Sequence, residues 1–332
     1  MGDQAISLEG QTALVTGAAG FIGSHVAERL VALGVKVRGL ARSAARAEWL
    51  AARGVEIVEG DLTDAESLRQ AVRGCHCVLS IAGWVGRPRS YEAARRVSVD
   101  GTRALIEAAI GAGARRVVHT SSMAAYGPVA EGVIDETWPL RASDVYGESK
   151  ANSETVVFSY GDRIATSVIR PTQIYGPRGR TWTQRLVKMI QRGVPVLVDG
   201  GRGAFHPCYI DNLVDAYVLT ATRPEAVGQA FTIVDGVTTW RDFTSYYARM
   251  VGRPARSVPS ALVRFAVYLA VIASAITRRP PVGTPDMLKF VVGHSRYSHD
   301  KAGRLLGWSP RVSLDEGMRR TEAWLRETGR LP

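Results

Sequence analysis

Thr16-Gly17-Ala18-Ala19-Gly20-Phe21-Ile22-Gly23 sets three glycines at three-residue spacing directly behind the apolar run Ala13-Leu14-Val15. A strand running into such a loop, with a helix running out of it, is the arrangement that cradles a dinucleotide pyrophosphate. Gly17 can take backbone angles closed to residues with a Cβ, Gly20 lets the main chain approach the phosphates, and Gly23 lets the following helix pack closely on the strand. A helix beginning near Gly20 aims free N–H groups and the positive end of its dipole at the same place. Both flanks are present. Ala27, Leu30, Val31 and Leu33 recur at helical spacing, and Val35-Lys36-Val37-Arg38-Gly39-Leu40 has the pattern of a second strand.

Working outward, short β-branched runs alternate with helical patterns as far as about residue 170. Strands are expected near 11–16, 35–40, 55–58, 77–81, 115–120 and 164–169, and helices at 20–33, 43–53, 64–73, 92–112 and 146–160. That alternation is the signature of an α/β fold, a Rossmann-type doubly wound parallel sheet covered by helices on both faces. Beyond Pro171 the punctuation thickens, as in Gly176-Pro177-Arg178-Gly179, Gly200-Gly201-Arg202-Gly203 and Arg279-Pro280-Pro281. Residues 1–175 are therefore expected to form the dinucleotide-binding domain and 176–332 a smaller C-terminal α/β substrate domain, with a segment at about 205–235 returning to the first.

The chain has 332 residues, 46% of them hydrophobic, enough to bury a substantial core. No long apolar run precedes the glycine loop and no uninterrupted stretch reaches the roughly 20 residues that span a bilayer, so a cytoplasmic enzyme is the expectation. Cys75, Cys77 and Cys208 make no disulfide framework, and Cys75-His76-Cys77 lacks a second ligand cluster, so no metal site is expected. The net charge is +11, and residues 251–332 carry 14 Lys/Arg against 6 Asp/Glu. With neither a zinc-finger spacing nor an aromatic stacking motif, nucleic acid is not the expected partner; an anionic cofactor, substrate or membrane surface is.

Tyr146-Gly147-Glu148-Ser149-Lys150 sets a phenol and an ammonium four residues apart, on one face of a helix. A nearby cation favours phenolate and brings a poor base toward useful acid/base range. The fifth strand ends in His119-Thr120-Ser121-Ser122, and the carboxyl ends of such strands are where open α/β sheets bind ligands. One of Ser121 and Ser122 also reads as a helix cap or turn former.

The order and spacing of these pieces resemble the extended branch of the short-chain dehydrogenase/reductase superfamily. The resemblance rests on Thr16 to Gly23, Gly60-Asp61-Leu62, Ile81-Ala82-Gly83, Ser121-Ser122, Tyr146 with Lys150, and Arg170-Pro171-Thr172-Gln173-Ile174-Tyr175-Gly176-Pro177. It implies Tyr146 as proton donor or acceptor, Lys150 as its tuner and a ribose ligand, and Ser122 as hydrogen-bond partner of the reacting oxygen. It implies a cofactor site made of Gly17, Gly20, Phe21, Ile22, Gly23, Arg42, Asp61, Leu62, Ala82, Gly83, Pro171, Thr172 and Ile174 besides the Tyr/Lys pair, with Asp61 at the adenine amine and Pro171 to Ile174 as a wall against the nicotinamide. It also implies a homodimer. One departure stands out: where the family has Asn-Val-x-Gly-Thr, this chain has Ser98-Val99-Asp100-Gly101-Thr102.

About 20 residues past the loop, NAD-specific folds carry an acid for the ribose 2′-hydroxyl. Here that place reads Leu40-Ala41-Arg42-Ser43, and Arg42, aided by Arg46, suits a 2′-phosphate, which favours NADP(H) over NAD(H). For the substrate, Ser122 is followed by Met123-Ala124-Ala125 where dehydratases have Asp and Glu. Phe205 stands where sugar-nucleotide members have an arginine for the diphosphate, leaving Arg178 or Arg180 as substitutes. The run Asp211 to Ala216 and the late Lys301 to Pro310 resemble the 3β-hydroxysteroid and sterol dehydrogenase group. The expected activity is interconversion of a secondary hydroxyl and a ketone on a fairly apolar small molecule lined by Met123, Phe205 and His206, with a nucleotide-sugar 4-epimerase or a nonenzymatic NADP(H) sensor as other readings. His206 also reads as a satisfied structural residue. Finally, residues 261–277 are apolar on nearly every helical face and bracketed by Arg253, Arg256, Arg278 and Arg279. Such a segment either packs on the substrate domain or, over 261–279, makes a peripheral membrane contact.

Overall fold

The computed structural model describes residues 7–84, 91–277 and 285–331. Seven parallel strands form one sheet: β1 (Thr12–Thr16), β2 (Lys36–Ala41), β3 (Val55–Glu59), β4 (Cys77–Ser80), β5 (Arg116–Thr120), β6 (Ala165–Pro171) and β7 (Ala230–Ile233), in the order β7-β6-β5-β4-β1-β2-β3. The order reverses between β1 and β4, which opens a crevice at their carboxyl ends. Six strands match the expected positions. β7 pairs with the outer side of β6 through Ala230↔Val168 to Ile233↔Pro171.

Helices α1 (Phe21–Ala32), α2 (Ala44–Ala51), α3 (Ala65–Val72), α4 (Gly101–Gly111), α5 (Val145–Phe158) and α6 (Ile210–Thr222) cover the sheet. Adjacent strand residues point to opposite faces and so divide the core. Leu14, Val78, Val117 and Val168 pack with Leu68, Leu105 and Val157 on one face. Val15, Leu79, Val118 and Ile169 pack with Val26, Leu30 and Leu213 on the other. Each such side chain contributes roughly 1.5–3 kcal/mol by leaving water. The second cluster continues past residue 175 into Phe205, Trp240, Phe243 and Tyr247, so the C-terminal part shares its core with the sheet.

That part adds small two-stranded pairs, Gln173–Tyr175 with Pro207–Tyr209 and Leu197–Val198 with Ser257–Val258 among them, and the helices α7 (Trp240–Val251), α8 (Ser260–Thr277) and α9 (Leu314–Glu327). The helix expected over 92–112 is one winding interrupted by a π-helical stretch, Arg96–Asp100, between Tyr91–Arg95 and α4. All three cysteines are buried and free. Among the described residues no helix is long and apolar enough to cross a membrane.

Three histidines are held neutral by their surroundings. His25 is pushed down to about 4 by burial and by the Arg178 guanidinium; burial lowers His119, reinforced by Lys150; and burial lowers His206. The unfolded chain therefore binds more protons than the folded one between about pH 6.5 and pH 4, and stability falls as the pH drops through that window. For His25 the cost reaches roughly 3 kcal/mol at pH 4. Thermal denaturation at stepped pH checks this: the expected result is a steady fall in Tm below pH 6.5, made shallower by His25→Gln, and a Tm level down to pH 4.5 contradicts it.

Candidate active site

The crevice between β1 and β4 is closed by backbone at its floor. Gly17 has φ +65°, and a Cβ there would stand 3.2 Å from Ala82 Cα; a Cβ on Gly23 would stand 2.3 Å from the Gly17 carbonyl oxygen. Neither position admits a side chain, so α1 begins hard against the loop. Its N-cap is Gly20 with no side-chain cap, and Phe21 and Ile22 follow half-buried. Thr16 ties the two strand ends together, its Oγ1 accepting from the Ile81 and Ala82 amides at 3.0 and 2.9 Å. A loop that only glycine can form, ending in an uncapped helix terminus, fits a dinucleotide pyrophosphate.

On the adenine side, Asp61 Oδ1 accepts from the backbone and hydroxyl of Thr63, 2.9 and 2.8 Å away, so the carboxylate closes a turn as well as bordering the cleft. Leu62 is buried against Gly101, where a Cβ would come within 2.8 Å of the leucine Cβ. Arg42 is exposed just past β2. The end of β2, Leu40-Ala41-Arg42-Ser43, carries no acid, as the sequence reads. Register pairing sets Ala41 beside Glu59, and Glu59 Oε2 accepts from the Ala44 amide at 2.8 Å, at the start of α2. That carboxylate belongs to the neighbouring strand β3.

The helix that carries Tyr146 and Lys150 is held from both ends of its first turn. Asp144 caps it by accepting from the Gly147 amide at 2.7 Å. Gly147 also allows close approach, since a Cβ would lie 2.3 Å from the Ala124 carbonyl oxygen of the turn Met123–Tyr126. Ser122 caps that turn through the Ala124 amide at 3.2 Å, and its hydroxyl is near enough to the Tyr146 phenol to favour the ionised form. Ser122 is thus the one of the two serines that caps a turn, while the buried Oγ of Ser121 has no protein partner among the described residues.

Lys150 is buried, donates from Nζ to the Thr120 carbonyl oxygen at 2.7 Å, and would touch a Cβ on Gly83 at 2.9 Å. Burial pushes it down to about 8, against the opposing pull of Glu154. Tyr146 is half-buried, and desolvation raises its phenol despite the nearby Ser122 hydroxyl. This reverses the sequence expectation of a phenol acidified by its lysine, because desolvation acts on both groups and disfavours the charged form of each.

Ser98, the departing position, sits in the π-helical stretch, where its Oγ accepts from the Trp84 amide at 3.1 Å and so holds the end of the Ala82-Gly83 loop. Pro171 and Thr172 are buried and Ile174 half-buried, with the Thr172 amide donating to the Ile233 carbonyl at 3.1 Å. Arg170 pairs with Glu154 at 2.6 Å and is architectural.

The expected substrate residues fare differently. Phe205 is in the aromatic core, stacked on Phe243 at 3.9 Å with Trp240 and Trp182 edge-on. His206 is buried, its ring bonded to the Ser295 carbonyl at 2.8 Å and set against Tyr297. Both belong to the core rather than to an open substrate surface, because the short strand pairs of the C-terminal part turn them inward. Met123 is buried beside Tyr126, Val234 and Tyr297. Arg178, a substitute phosphate ligand by sequence, pairs with Glu28 and covers the Trp49 ring.

Comparison with known proteins agrees with this geometry. Residues 13–234 match the NAD dependent epimerase/dehydratase family. The chain is 28% identical to a 4-hydroxy-2-methyl-3-oxo-4-farnesyl-3,4-dihydroquinoline-1-oxide ketoreductase of Stigmatella aurantiaca, over 92% of this chain and 93% of that one. It is also 28% identical to the decarboxylating sterol-4-alpha-carboxylate 3-dehydrogenase of Saccharomyces cerevisiae, over 95% and 97%. Among solved structures, the Thermus thermophilus UDP-glucose 4-epimerase in complex with NAD superposes with a TM-score of 0.76 at 26% identity, covering 95% of this chain and 99% of that one.

The crowding at Gly83 is testable. A methyl 2.9 Å from Lys150 Nζ displaces the ammonium from the Thr120 carbonyl. Gly83→Ala is expected to weaken dinucleotide binding about ten-fold or more, the equivalent of one charge-assisted hydrogen bond. Gly111→Ala, which meets nothing within 4 Å, serves as the control. Titration of the coenzyme against both variants decides it, and equal affinities count against the assignment.

Proposed function

We propose that this chain, which belongs to the NAD dependent epimerase/dehydratase family and its extended short-chain dehydrogenase/reductase branch, interconverts a secondary hydroxyl and a ketone on a fairly apolar, sterol-like small molecule through Ser122, Tyr146 and Lys150, with NADP(H) as the favoured coenzyme. The observation that carries the reading is the packing of the helix start against the turn that Ser122 caps, which sets the Tyr146 phenol near the Ser122 hydroxyl at the carboxyl end of the sheet, with a buried lysine one turn further along the helix. Gly17, Gly20, Phe21, Ile22 and Gly23 would hold the pyrophosphate, Asp61 and Leu62 would border the adenine, and Ala82, Gly83, Pro171, Thr172 and Ile174 would line the rest of the cleft. The coenzyme, when bound, supplies or accepts the hydride.

In the reductive direction Ser122 orients the carbonyl oxygen and Tyr146 donates its phenolic proton to that oxygen as the carbon is reduced. In the oxidative direction the phenolate takes the proton from the hydroxyl. Burial raises the phenol, so the donor form prevails at neutral pH. Lys150, fixed by Thr120, supplies positive charge beside the phenol's path and would hold a ribose hydroxyl. The apolar substrate class is supported by Met123-Ala124-Ala125 behind Ser122 and by the names of the two relatives.

Tyr146→Phe is expected to keep coenzyme affinity while lowering turnover by roughly 100- to 10,000-fold, the usual weight of a general acid. Reduction by the wild type should stay level through neutral pH and decline in the alkaline range, with oxidation rising there, because the raised phenol loses its proton late. Coenzyme absorbance over a panel of sterols and apolar hydroxyketones gives the readout, and full activity in the phenylalanine variant refutes the assignment.

NADP(H) preference rests on exposed Arg42, with Glu59 as the opposing charge at the Ala44 amide. Arg42→Ala is expected to lower the NADP:NAD affinity ratio about ten-fold. Glu59→Gln should raise the ratio, since a carboxylate repels a 2′-phosphate. An unchanged ratio in both variants overturns the preference.

A further inference from the structure

The helix α8 was expected either to be packed on the substrate domain or to meet a membrane surface. Over Ser260 to Ala270 it is covered on one face only, where Val263, Val267 and Ala270 are half-buried; on the other, Leu262 is 60% exposed, Phe265 61%, Tyr268 64% and Leu269 48%. The spacing of three and four residues puts these four side chains in one stripe along the helix. Arg264 and Ala266 beside them are exposed as well. Four large apolar side chains in a single stripe are an interaction surface, whereas scattered single ones would need no explanation. The side chains from 271 onward, and Arg278 and Arg279, lie outside the described residues.

The chemistry of the occupant is set by what adjoins the stripe. The strand Ser257–Val258, immediately before α8, pairs with Leu197–Val198, and the Val196 amide donates to the Arg256 carbonyl at 3.0 Å. Directly before that partner strand lies a cleft of about 550 Å³ lined by Arg180, Arg185, Lys188 and Arg192 together with Met189 and Val194. Its lining shares no residue with the coenzyme site. No acidic residue occurs from Arg180 to Val198, and among the described residues no carboxylate pairs with any of the four cations. Opposite Gly193, the Arg256 guanidinium stands 3.5 Å from where a Cβ would be. The nearby acid, Asp199, is used: its Oδ1 accepts from the Ser260 amide at 2.8 Å.

We propose that α8 and the cationic cleft beside it form one surface that docks on an anionic lipid bilayer, with Leu262, Phe265, Tyr268 and Leu269 entering the headgroup boundary and the arginines and lysine meeting lipid phosphates. The two halves answer the two parts of an interface, apolar area for the acyl boundary and unpaired positive charge for the headgroups. Phe265 and Tyr268 are rings suited to that depth, and the exposed Arg264, which donates to Ser260 Oγ at 3.4 Å and lies near Asp199, can extend its guanidinium to the phosphates. A second copy of this chain is the poorer occupant, because it would bring the same uncompensated cations to the contact. The proposal uses no residue of the coenzyme site, so its failure and that of the proposed chemistry are separately visible.

The test is co-flotation of the full chain with vesicles of phosphatidylcholine alone and of phosphatidylcholine with 30% phosphatidylglycerol, at low and at high salt. The expected result is binding to the anionic vesicles, weakened about ten-fold or more at high salt and in Arg185→Glu/Lys188→Glu. Phe265→Asp/Leu269→Asp is expected to lose binding while keeping its Tm and dinucleotide affinity, since both side chains are already exposed. Absence of flotation with anionic vesicles at low salt overturns the proposal, and so does binding indifferent to both double variants. A concentration-dependent dimer that Phe265→Asp/Leu269→Asp dissociates, without vesicle binding, also overturns it and assigns the stripe to a second copy.

Discussion

One helix buries a row of polar and charged side chains where a helix facing a sheet would ordinarily bury apolar ones. Ser149, Lys150, Ser153 and Glu154 of α5 are all buried; Ser149 donates to the Tyr146 carbonyl of its own helix, and the other three are answered from the structure around them. Glu154 meets Arg170 of β6 at 2.6 Å, Ser153 meets the His119 ring of β5 at 2.9 Å, and Lys150 meets the Thr120 carbonyl at 2.7 Å. Arg170 goes on to Tyr126, and Tyr126 to Thr232 of β7, so the row reaches across three strands. Removing one member of such a set strands the charge of another away from water, at a cost of about 3–5 kcal/mol for a buried pair. The helix can therefore sit in only one register on the sheet. That register is what delivers Tyr146 to Ser122, since the phenol lies one turn before the lysine and the turn carrying Ser122 is pressed against Gly147.

The same burial governs the acid/base chemistry. A low-dielectric setting disfavours the phenolate of Tyr146 and the ammonium of Lys150 together, and His119 beside them is kept neutral. At neutral pH the phenol is thus protonated, while Lys150, at about 8, is still largely an ammonium. Glu154 opposes the effect of burial on Lys150, which links the structural ion pair to the lysine's charge state. Ser98 acts on the other side of the lysine, fixing the Trp84 amide and with it the Gly83 loop that crowds Nζ. A hydroxyl is enough for that bond, so the departure from the family's amide leaves the loop held.

What was legible in the sequence is what depends on local pattern. The glycine loop, six of the seven strands and the Tyr/Lys spacing on α5 follow from periodicity and from steric demands that a short window expresses. What was not legible depends on partners distant in the chain. Glu59 reaches the start of α2 only because β2 and β3 pair in a register that sets Ala41 beside it. Phe205 and His206 are turned into the core by pairs of two or three residues, too short to leave an alternating pattern. The sign of the Tyr146 shift depends on desolvation, which no spacing rule reports. In α8 the hydrophobic pattern was plain, but whether protein covers it is a property of the tertiary surface.

These two kinds of information also separate the two ends of the molecule. Around the crevice several polar groups are tied within the chain, from Thr16 on the Ala82 amide to Lys150 on Thr120, while the start of α1 has no side-chain cap and the Ser121 hydroxyl no partner among the described residues. Around α8 and the 180–198 segment the balance is the reverse: apolar side chains without cover and cations without carboxylates among the described residues. A folded surface that leaves both kinds of group unmet in one place costs free energy by desolvation left undone and by like-charge repulsion. Such a cost is sustained where an external surface meets both demands at once, and a bilayer carrying negative charge has the apolar depth and the phosphate layer in the required order.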